Sequence, residues 1–177
     1  SEGKMTNVVL VIDMVRGFLE PGHNLYCGDD SRSIIPSVRS LLKREQEAGS
    51  DIIFVSDHHL PDDLEFQIFP VHCVIGTEEP EVIPELAGHV TDSNVMPKNR
   101  YSGFFNTDLE QRLARINPGK IIICGVCTDI CVLHTTSDAR NRDYTVEVPS
   151  DCVATFDPYA HQWALGHLEK ILGARVL

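Results

Sequence analysis

Lys120-Ile-Ile-Ile-Cys-Gly-Val-Cys-Thr-Asp-Ile-Cys-Val-Leu-His134 is the stretch of sequence that decides the fold. Its run from Ile121 to Ile123 is continuous and β-branched, as in strands that are buried on both faces of a parallel sheet. Gly125 then allows the chain to turn, and the pair Thr128-Asp129 is suited to cap a helix. The segment therefore predicts a buried strand that leads into a helix, with Cys131 in the first turn of that helix.

Cys131 is a candidate nucleophile because of this position. Backbone N–H groups in the first turn of a helix are unpaired and the helix dipole is positive there, so a thiolate is stabilised. We expect the pKa of the thiol to fall below its free value of about 8.5. The alternative interpretation is a buried cysteine that packs as a small hydrophobic side chain.

Composition and charge exclude several classes of protein. The 177 residues are 42% hydrophobic, which fits a single globular domain over residues 1–177. Fifteen basic against 26 acidic residues give a net charge of −11, which opposes binding to nucleic acid or to an anionic membrane. No apolar run approaches the roughly 20 residues that span a bilayer, and the polar residues 1–4 do not resemble a secretion signal. We predict a cytoplasmic protein.

The six cysteines are predicted to be reduced. Cys124, Cys127 and Cys131 crowd one strand-to-helix junction, which is a poor layout for a disulfide framework. The spacing of Cys124 and Cys127 also matches that of a redox dithiol. Cys124, however, lies within the predicted strand and not at a helix N-terminus, so the sequence favours hydrolytic over redox chemistry.

Short apolar runs alternate with amphipathic segments along the chain. We predict strands at residues 7–12, 51–57, 90–96, 120–126 and 144–149, and helices at residues 31–48, 108–116, 129–140 and 158–172. Glycine-rich and proline-rich stretches at residues 16–29 and 60–85 are predicted to be loops. This alternation predicts an α/β fold, with a doubly wound, mainly parallel sheet and helices on both faces.

Three reactive side chains follow the predicted strands. Asp13 comes after the first strand, Lys98 after the third, and Cys131 just beyond the fourth. The carboxyl ends of parallel strands form the edge at which α/β proteins bind ligands. Asp13 is placed to take the thiol proton and Lys98 to favour the charged forms of both partners. Taken singly, the acid is also consistent with a loop cap and the lysine with a solvated side chain.

A second cluster of polar residues follows the second strand. In an extended segment Asp57 and His59 point the same way, and His72 is placed to close the site. One carboxylate and two imidazoles suit a divalent ion, Zn above all but also Fe or Mn. Glu65, in the same loop, is a further candidate ligand. The alternative is a polar loop with scattered histidines.

Five motifs together resemble the isochorismatase-like cysteine hydrolases, and within them the nicotinamidases. They are Val-Ile-Asp13-Met, Ser-Asp57-His-His59, Phe69-Pro-Val-His72-Cys-Val-Ile-Gly-Thr77, Lys98-Asn-Arg-Tyr101-Ser-Gly-Phe104 and Gly125-Val-Cys-Thr-Asp-Ile-Cys131-Val. The match covers about residues 8–153 in the order of the family. Phe69 departs from it, since nicotinamidases usually have Trp there.

The resemblance implies a function and a set of site residues. Asp13, Lys98 and Cys131 correspond to the catalytic triad, and Asp57, His59 and His72, with Glu65 in some members, to the metal site. The Val126–Cys127 bond corresponds to a cis peptide, and the N–H groups of Cys127 and Cys131 to an oxyanion hole. Phe18, Phe69 and Tyr101 are the expected contacts of a flat heteroaromatic amide. We expect a metal-dependent homo-oligomer that hydrolyses nicotinamide to nicotinate and ammonia through a thioester.

Three other functions stay open at this point. Another amidohydrolase of the family, acting on a carbamoyl or ureido amide, needs Asp13, Lys98 and Cys131 but not the metal ligands. A non-haem iron oxygenase uses two histidines and a carboxylate, but it leaves Cys131 idle and favours an all-β barrel. A phosphoacceptor receiver domain places acids and a lysine at strand ends, with Asp57 as the acceptor, but it leaves the histidines unexplained.

Overall fold

A computed structural model describes residues 5–177 of the protein and contains one seven-stranded sheet. The strands are β1 (Val8–Ile12), β2 (Asp51–Asp57), β3 (Val95–Lys98), β4 (Ile121–Val126), β5 (Val146–Val148), β6 (Val153–Ala154) and β7 (Arg175–Val176). The helices are α1 (Arg16–Leu19), α2 (Asp29–Arg32), α3 (Ile35–Glu47), α4 (Leu109–Ile116), α5 (Cys131–Asn141) and α6 (Pro158–Lys170). Across residues 5–177, no helix is both long and apolar enough to cross a membrane.

All pairings between the strands are parallel. The order across the sheet is β3-β2-β1-β4-β5-β7, and β6 pairs with the end of β4. The chain builds outward from β1 to β3 and then crosses back to place β4 on the other side of β1. This reversal makes the carboxyl ends of β1 and β4 a topological switch point, where doubly wound proteins bind their ligands.

The strand β1 divides the core in two. Because side chains alternate along a strand, Val9 and Val11 point to one face, while Val8, Leu10 and Ile12 point to the other. Helix α3 packs on the first face, and α4, α5 and α6 contribute their buried residues to the second. The predicted α/β fold, with helices on both faces of a parallel sheet, is confirmed.

The helix predicted at residues 31–48 is two helices, α2 and α3. Pro36 lies in the first turn of α3, where its missing N–H costs nothing. In a continuous helix the same ring would clash with the carbonyl of Arg32, four residues earlier. The first helix therefore ends at Arg32, and a second helix begins at Ile35.

Two further predictions about elements need correction. The third strand lies at Val95–Lys98 and not at residues 90–96, because only this short segment pairs with β2. Lys98 is consequently the last residue of the strand. The predicted loops at residues 16–29 and 60–85 contain helical turns at Arg16–Leu19 and Leu64–Gln67, and a further 3-10 segment, Pro84–His89, begins at the end of the second. The turn at Leu64–Gln67 positions Glu65 in the site.

Candidate active site

The carboxyl ends of four adjacent strands carry the four central side chains. Asp13 follows β1, Asp57 ends β2, Lys98 ends β3, and Cys131 begins α5 a short turn after β4. Asp57 and Lys98 are direct partners in the β2–β3 register. All four side chains are buried. The sheet thus assembles residues that are far apart in sequence, as their positions after predicted strands indicated.

Lys98 lies at the centre of this group. Its Nζ is 3.1 Å from Oδ2 of Asp13 and 3.5 Å from Sγ of Cys131, and it donates a hydrogen bond to Oδ1 of Asp57. The Asp57 N–H donates to Oδ1 of Asp13 over 2.8 Å, which fixes that carboxylate. A carboxylate oxygen of Asp13 lies within 4.8 Å of the Cys131 sulfur. Acid, ammonium and thiol are therefore in mutual contact.

Burial dominates the ionisation of these groups. It raises the pKa of the Cys131 thiol well above its usual value; the charge of Lys98 opposes this rise, and the carboxylates of Asp13 and Asp57 add to it. The predicted lowering of the thiol pKa is therefore wrong for the free protein. Burial, followed by the charge of Asp57, raises the pKa of Asp13 to about 6. At neutral pH a protonated thiol thus faces an ionised carboxylate, the arrangement that general-base activation of a thiol requires.

The start of helix α5 differs in detail from the prediction. Cys131 is in its first turn as expected, but Ile130 is the N-cap, and neither Thr128 nor Asp129 caps the helix. The Thr128 hydroxyl hydrogen-bonds with the ring of His161, and the Asp129 carboxylate accepts from Thr155. These two side chains are engaged by the segment that follows β5.

The turn before α5 offers hydrogen-bond donors beside the thiol. Within residues 5–177, neither the Cys127 N–H nor the Cys131 N–H donates to another protein group. The Val126–Cys127 peptide bond is cis, as the resemblance implied. Unpaired N–H groups at a helix start are suited to stabilise a negatively charged oxygen.

Four buried side chains converge beside this group. Nε2 of His59 and Nε2 of His72 each lie close to Oδ2 of Asp57, at 3.3 and 3.5 Å, and to Oε2 of Glu65, at 3.3 and 3.2 Å. Ligand atoms about 2.0–2.2 Å from zinc are roughly 3.3–3.6 Å apart in a tetrahedron. All four donor atoms lie within 4.8 Å of one another. The spacing fits a small divalent ion, and Glu65 belongs to the cluster.

The second nitrogen of each ring supports this fit. Nδ1 of His59 lies 2.8 Å from Oδ2 of Asp63, and Nδ1 of His72 lies 2.8 Å from the carbonyl of Pro70. An ionised carboxylate and a carbonyl oxygen can only accept, so both rings donate through Nδ1. Each Nε2 is then the nitrogen that is directed to the cluster, as in metal-binding histidines.

The charge in the cluster also fits a cation. Burial opposes protonation of His72, but hydrogen bonds with Asp57 and Glu65 outweigh it and raise its pKa to about 10. Burial likewise opposes protonation of His59, but the carboxylates of Asp57, Asp63 and Glu65 outweigh it and raise its pKa. The buried carboxylates of Asp57 and Glu65 are stable only beside positive charge, which either protons on the two histidine rings or a bound ion can supply.

The three predicted aromatic contacts line one small pocket that also includes the thiol. Phe18 and Phe69 pack against the ring of His72, with centroid distances of 5.7 and 6.3 Å, and Tyr101 lies 6.3 Å from Phe69. Leu25, Ile130 and Phe156 add to the apolar lining. The sequence does not single out these three, because isolated apolar residues in turns show no pattern that distinguishes a pocket from a core.

Residues 7–177 match the profile of the isochorismatase domain. The chain belongs to the isochorismatase family. A curated relative is an uncharacterized isochorismatase family protein of Bacillus subtilis strain 168, PncA, which is 35% identical over 97% of this chain and 99% of that protein. The resemblance carried by the five motifs is confirmed, and the protein is an amidohydrolase of this family.

Solved structures of family members superpose closely on the chain. The pyrazinamidase/nicotinamidase of Streptococcus mutans UA159 is 33% identical, with a TM-score of 0.91 over 97% of this chain and 100% of that one. The pyrazinamidase of Pyrococcus horikoshii, solved in complex with zinc, is 27% identical, with a TM-score of 0.87 over 97% and 98% of the two chains. The family fold thus extends over the whole described site.

Proposed function

We propose that the protein hydrolyses nicotinamide to nicotinate and ammonia as a metal-dependent cysteine amidohydrolase. The observation that carries the proposal is that two buried groups adjoin through Asp57. The first is Cys131 with Asp13 and Lys98, and the second is the cluster of four donors that includes Asp57. Zinc suits these donors best, with iron or manganese as substitutes. The similarity to nicotinamidases and pyrazinamidases supports an aromatic amide as the substrate.

The first half of the reaction forms a thioester. Asp13 takes the proton of Cys131, and the thiolate attacks the carboxamide carbon. The N–H groups of Cys127 and Cys131 stabilise the resulting oxyanion, a contribution of about 3 kcal/mol per donor in comparable sites. The C–N bond then breaks, and ammonia leaves with the proton that Asp13 had accepted.

The second half releases the acid. Asp13 takes a proton from water, the hydroxide attacks the thioester carbon, and the proton returns to the sulfur of Cys131 as nicotinate departs. Lys98 holds Asp13 in place and balances the negative charge during both halves. An ion held by Asp57, His59, Glu65 and His72 would supply a Lewis acid that binds the ring nitrogen of the substrate.

An ammonia-release assay tests the proposed substrate. Nicotinamide and pyrazinamide are compared at equal concentrations with a carbamoyl amino acid and a ureido compound. We expect the two aromatic amides to be hydrolysed with the highest kcat/KM. Preferential turnover of the carbamoyl or ureido compound would assign the protein to another activity of the family.

Replacing Asp13 by Asn or Lys98 by Met should lower kcat by about 10²–10⁴-fold, the range for losing general acid–base catalysis. Asp13→Asn removes the proton acceptor. Lys98→Met leaves two buried carboxylates without their counter-ion, which disfavours the thiolate. Because both residues act on one sulfur, the double variant should be little worse than the poorer single variant. The measurement is single-turnover kinetics with nicotinamide.

Matched controls use the same substitutions at other positions. Asp51→Asn changes an exposed acid at the start of β2, and Lys120→Met breaks only the ion pair with Glu147. Both should retain kcat within about threefold, because pairs of this kind near the surface contribute little. Losses that multiply in the Asp13/Lys98 double variant would show that the two residues act independently.

Removal of metal should abolish turnover of nicotinamide. After treatment with a chelator, added Zn²⁺, Mn²⁺ or Fe²⁺ should restore activity to different degrees, because the ions differ in affinity and preferred geometry. His72→Ala should raise KM more than it lowers kcat, since the cluster binds the ring and Cys131 breaks the bond. Benzamide, which lacks the ring nitrogen, should bind much more weakly than nicotinamide.

Elemental analysis provides the control for this prediction. If protein shown to be metal-free hydrolysed nicotinamide at the full rate, and handled benzamide equally well, the metal would have no part in the mechanism. The proposal would then narrow to a metal-free amidohydrolase with the same triad.

A further inference from the structure

Asp63 is a buried carboxylate that the triad and the metal cluster do not include. Its side chain is 5% exposed, whereas the neighbouring Asp62 is exposed. Each of its two oxygens accepts from a different part of the site. A buried carboxylate is costly unless its oxygens are well satisfied, so this arrangement calls for an explanation.

The first oxygen of Asp63 orients a histidine of the cluster. Its Oδ2 lies 2.8 Å from Nδ1 of His59, and the His59 side chain is fully buried. This contact keeps the proton on Nδ1 and directs Nε2 toward Asp57 and Glu65. Carboxylates that hold the far nitrogen of a metal-binding histidine fix the tautomer and the plane of the ring.

The second oxygen orients the carboxylate of the cluster. Oδ1 of Asp63 accepts from the Glu65 N–H over 2.9 Å and thereby caps the 3-10 turn Leu64–Gln67. This cap fixes the direction in which Glu65 leaves the backbone. One side chain therefore sets the orientation of two of the four donors, which are six residues apart.

Arg100 holds Asp63 from the other side. Its Nη1 lies 2.8 and 3.1 Å from the two oxygens of Asp63. Lys98 Nζ in turn donates to the carbonyl of Arg100 over 2.8 Å. Asp63 is thus linked by hydrogen bonds, through Arg100, to Lys98 at the end of β3.

We propose that Asp63, held by Arg100, is a positioning residue that pre-orients His59 and Glu65 and so sets the affinity of the cluster for its divalent ion. This inference rests on the proposed metal dependence. An asparagine at this position has only one acceptor oxygen, so either the His59 ring or the Glu65 N–H would face an NH₂ group and turn away. The carboxylate is therefore required at position 63.

Zinc affinity of the full-length protein, measured by competition with a chromogenic chelator, tests the inference without reference to activity. We expect Asp63→Asn to weaken binding by about 10–100-fold, the usual effect of losing a partner of a metal-binding histidine. The absorption spectrum of the Co²⁺-loaded variant should change in intensity, because the donor geometry relaxes. Asp62→Asn, the matched control, should keep wild-type affinity and spectrum.

A second variant covers the case in which Asp63→Asn does not fold. Arg100 is 38% exposed in its side chain, so Arg100→Gln should fold and should weaken zinc binding by about 3–10-fold through a looser Asp63. In the double variant the losses should be less than multiplicative, since Arg100 acts through Asp63. Wild-type zinc affinity in folded Asp63→Asn, or in Arg100→Gln if that variant alone folds, would overturn the inference and leave the proposed function standing. If the wild type bound none of Zn²⁺, Mn²⁺ and Fe²⁺, both this inference and the proposed metal dependence would be overturned.

Discussion

Cys131→Ala should abolish amide hydrolysis and leave the fold intact. The Cys131 sulfur contacts both Asp13 and Lys98, whereas the sulfur of Cys127, the other thiol that lines the pocket, lies against Cys27. We expect kcat to fall by at least about 10⁴-fold, as for the loss of a nucleophile that works with its base as a unit. The measurement is ammonia release under saturating substrate, with circular dichroism and thermal unfolding to verify the fold.

Cys124→Ala is the matched control for this variant. Cys124 is also fully buried, but its sulfur lies 3.7 Å from the carbonyl of Leu10 inside the sheet. This substitution should cost some stability and leave kcat within about threefold, because the residue does not reach the pocket. Near-normal activity in Cys131→Ala, with loss of activity in Cys124→Ala or Cys127→Ala, would disprove the assignment of the nucleophile.

Gly125→Ala should strongly destabilise the fold. Gly125 pairs with Ile12 across β1 and β4 and has a φ of 116°, a conformation that residues with a side chain rarely adopt. An added Cβ would lie 2.0 Å from the carbonyl oxygen of Ile12, which is backbone and cannot move aside. We expect the free energy of unfolding to fall by more than about 4 kcal/mol. Urea denaturation measures this change.

Gly166→Ala provides the opposite outcome with the same chemical change. Gly166 lies within α6, and a Cβ there meets no atom within 4 Å. Alanine should therefore stabilise the helix by about 0.5–1 kcal/mol. If Gly125→Ala and Gly166→Ala shifted the urea midpoint alike, Gly125 would not lie as close to the Ile12 carbonyl as the structure shows.

The central strands could be predicted from sequence because their signal is local. The segments Val8–Ile12, Asp51–Asp57 and Ile121–Val126 each contain a run of consecutive apolar residues, as is typical of strands buried on both faces of a parallel sheet. Their alternation with amphipathic helices determines the doubly wound fold, and the fold brings the strand ends together. Asp13, Lys98 and Cys131 therefore meet at the predicted edge.

The features that sequence could not supply depend on contacts across the chain. Strand β3 is an edge strand of four residues with a proline, too short to show a period. The pKa of Cys131 depends on burial and on the charges of Lys98, Asp13 and Asp57 from other strands, none of which is visible in the helix-start pattern. Asp63 gave a weak local signal, since Asp two residues before Glu65 is a cap pattern, but only the fold shows that it reaches His59.

Asp57 belongs to both halves of the site through its two oxygens. Oδ1 accepts from Lys98, while Oδ2 faces His59 and His72. An ion on the Oδ2 side would draw negative charge away from Lys98 and leave that ammonium more fully to Asp13 and Cys131. Occupancy of the cluster and ionisation of the thiol are then linked quantities, and linkage is reciprocal. If a bound ion favours formation of the thiolate by a given factor, formation of the thiolate raises the affinity for the ion by the same factor.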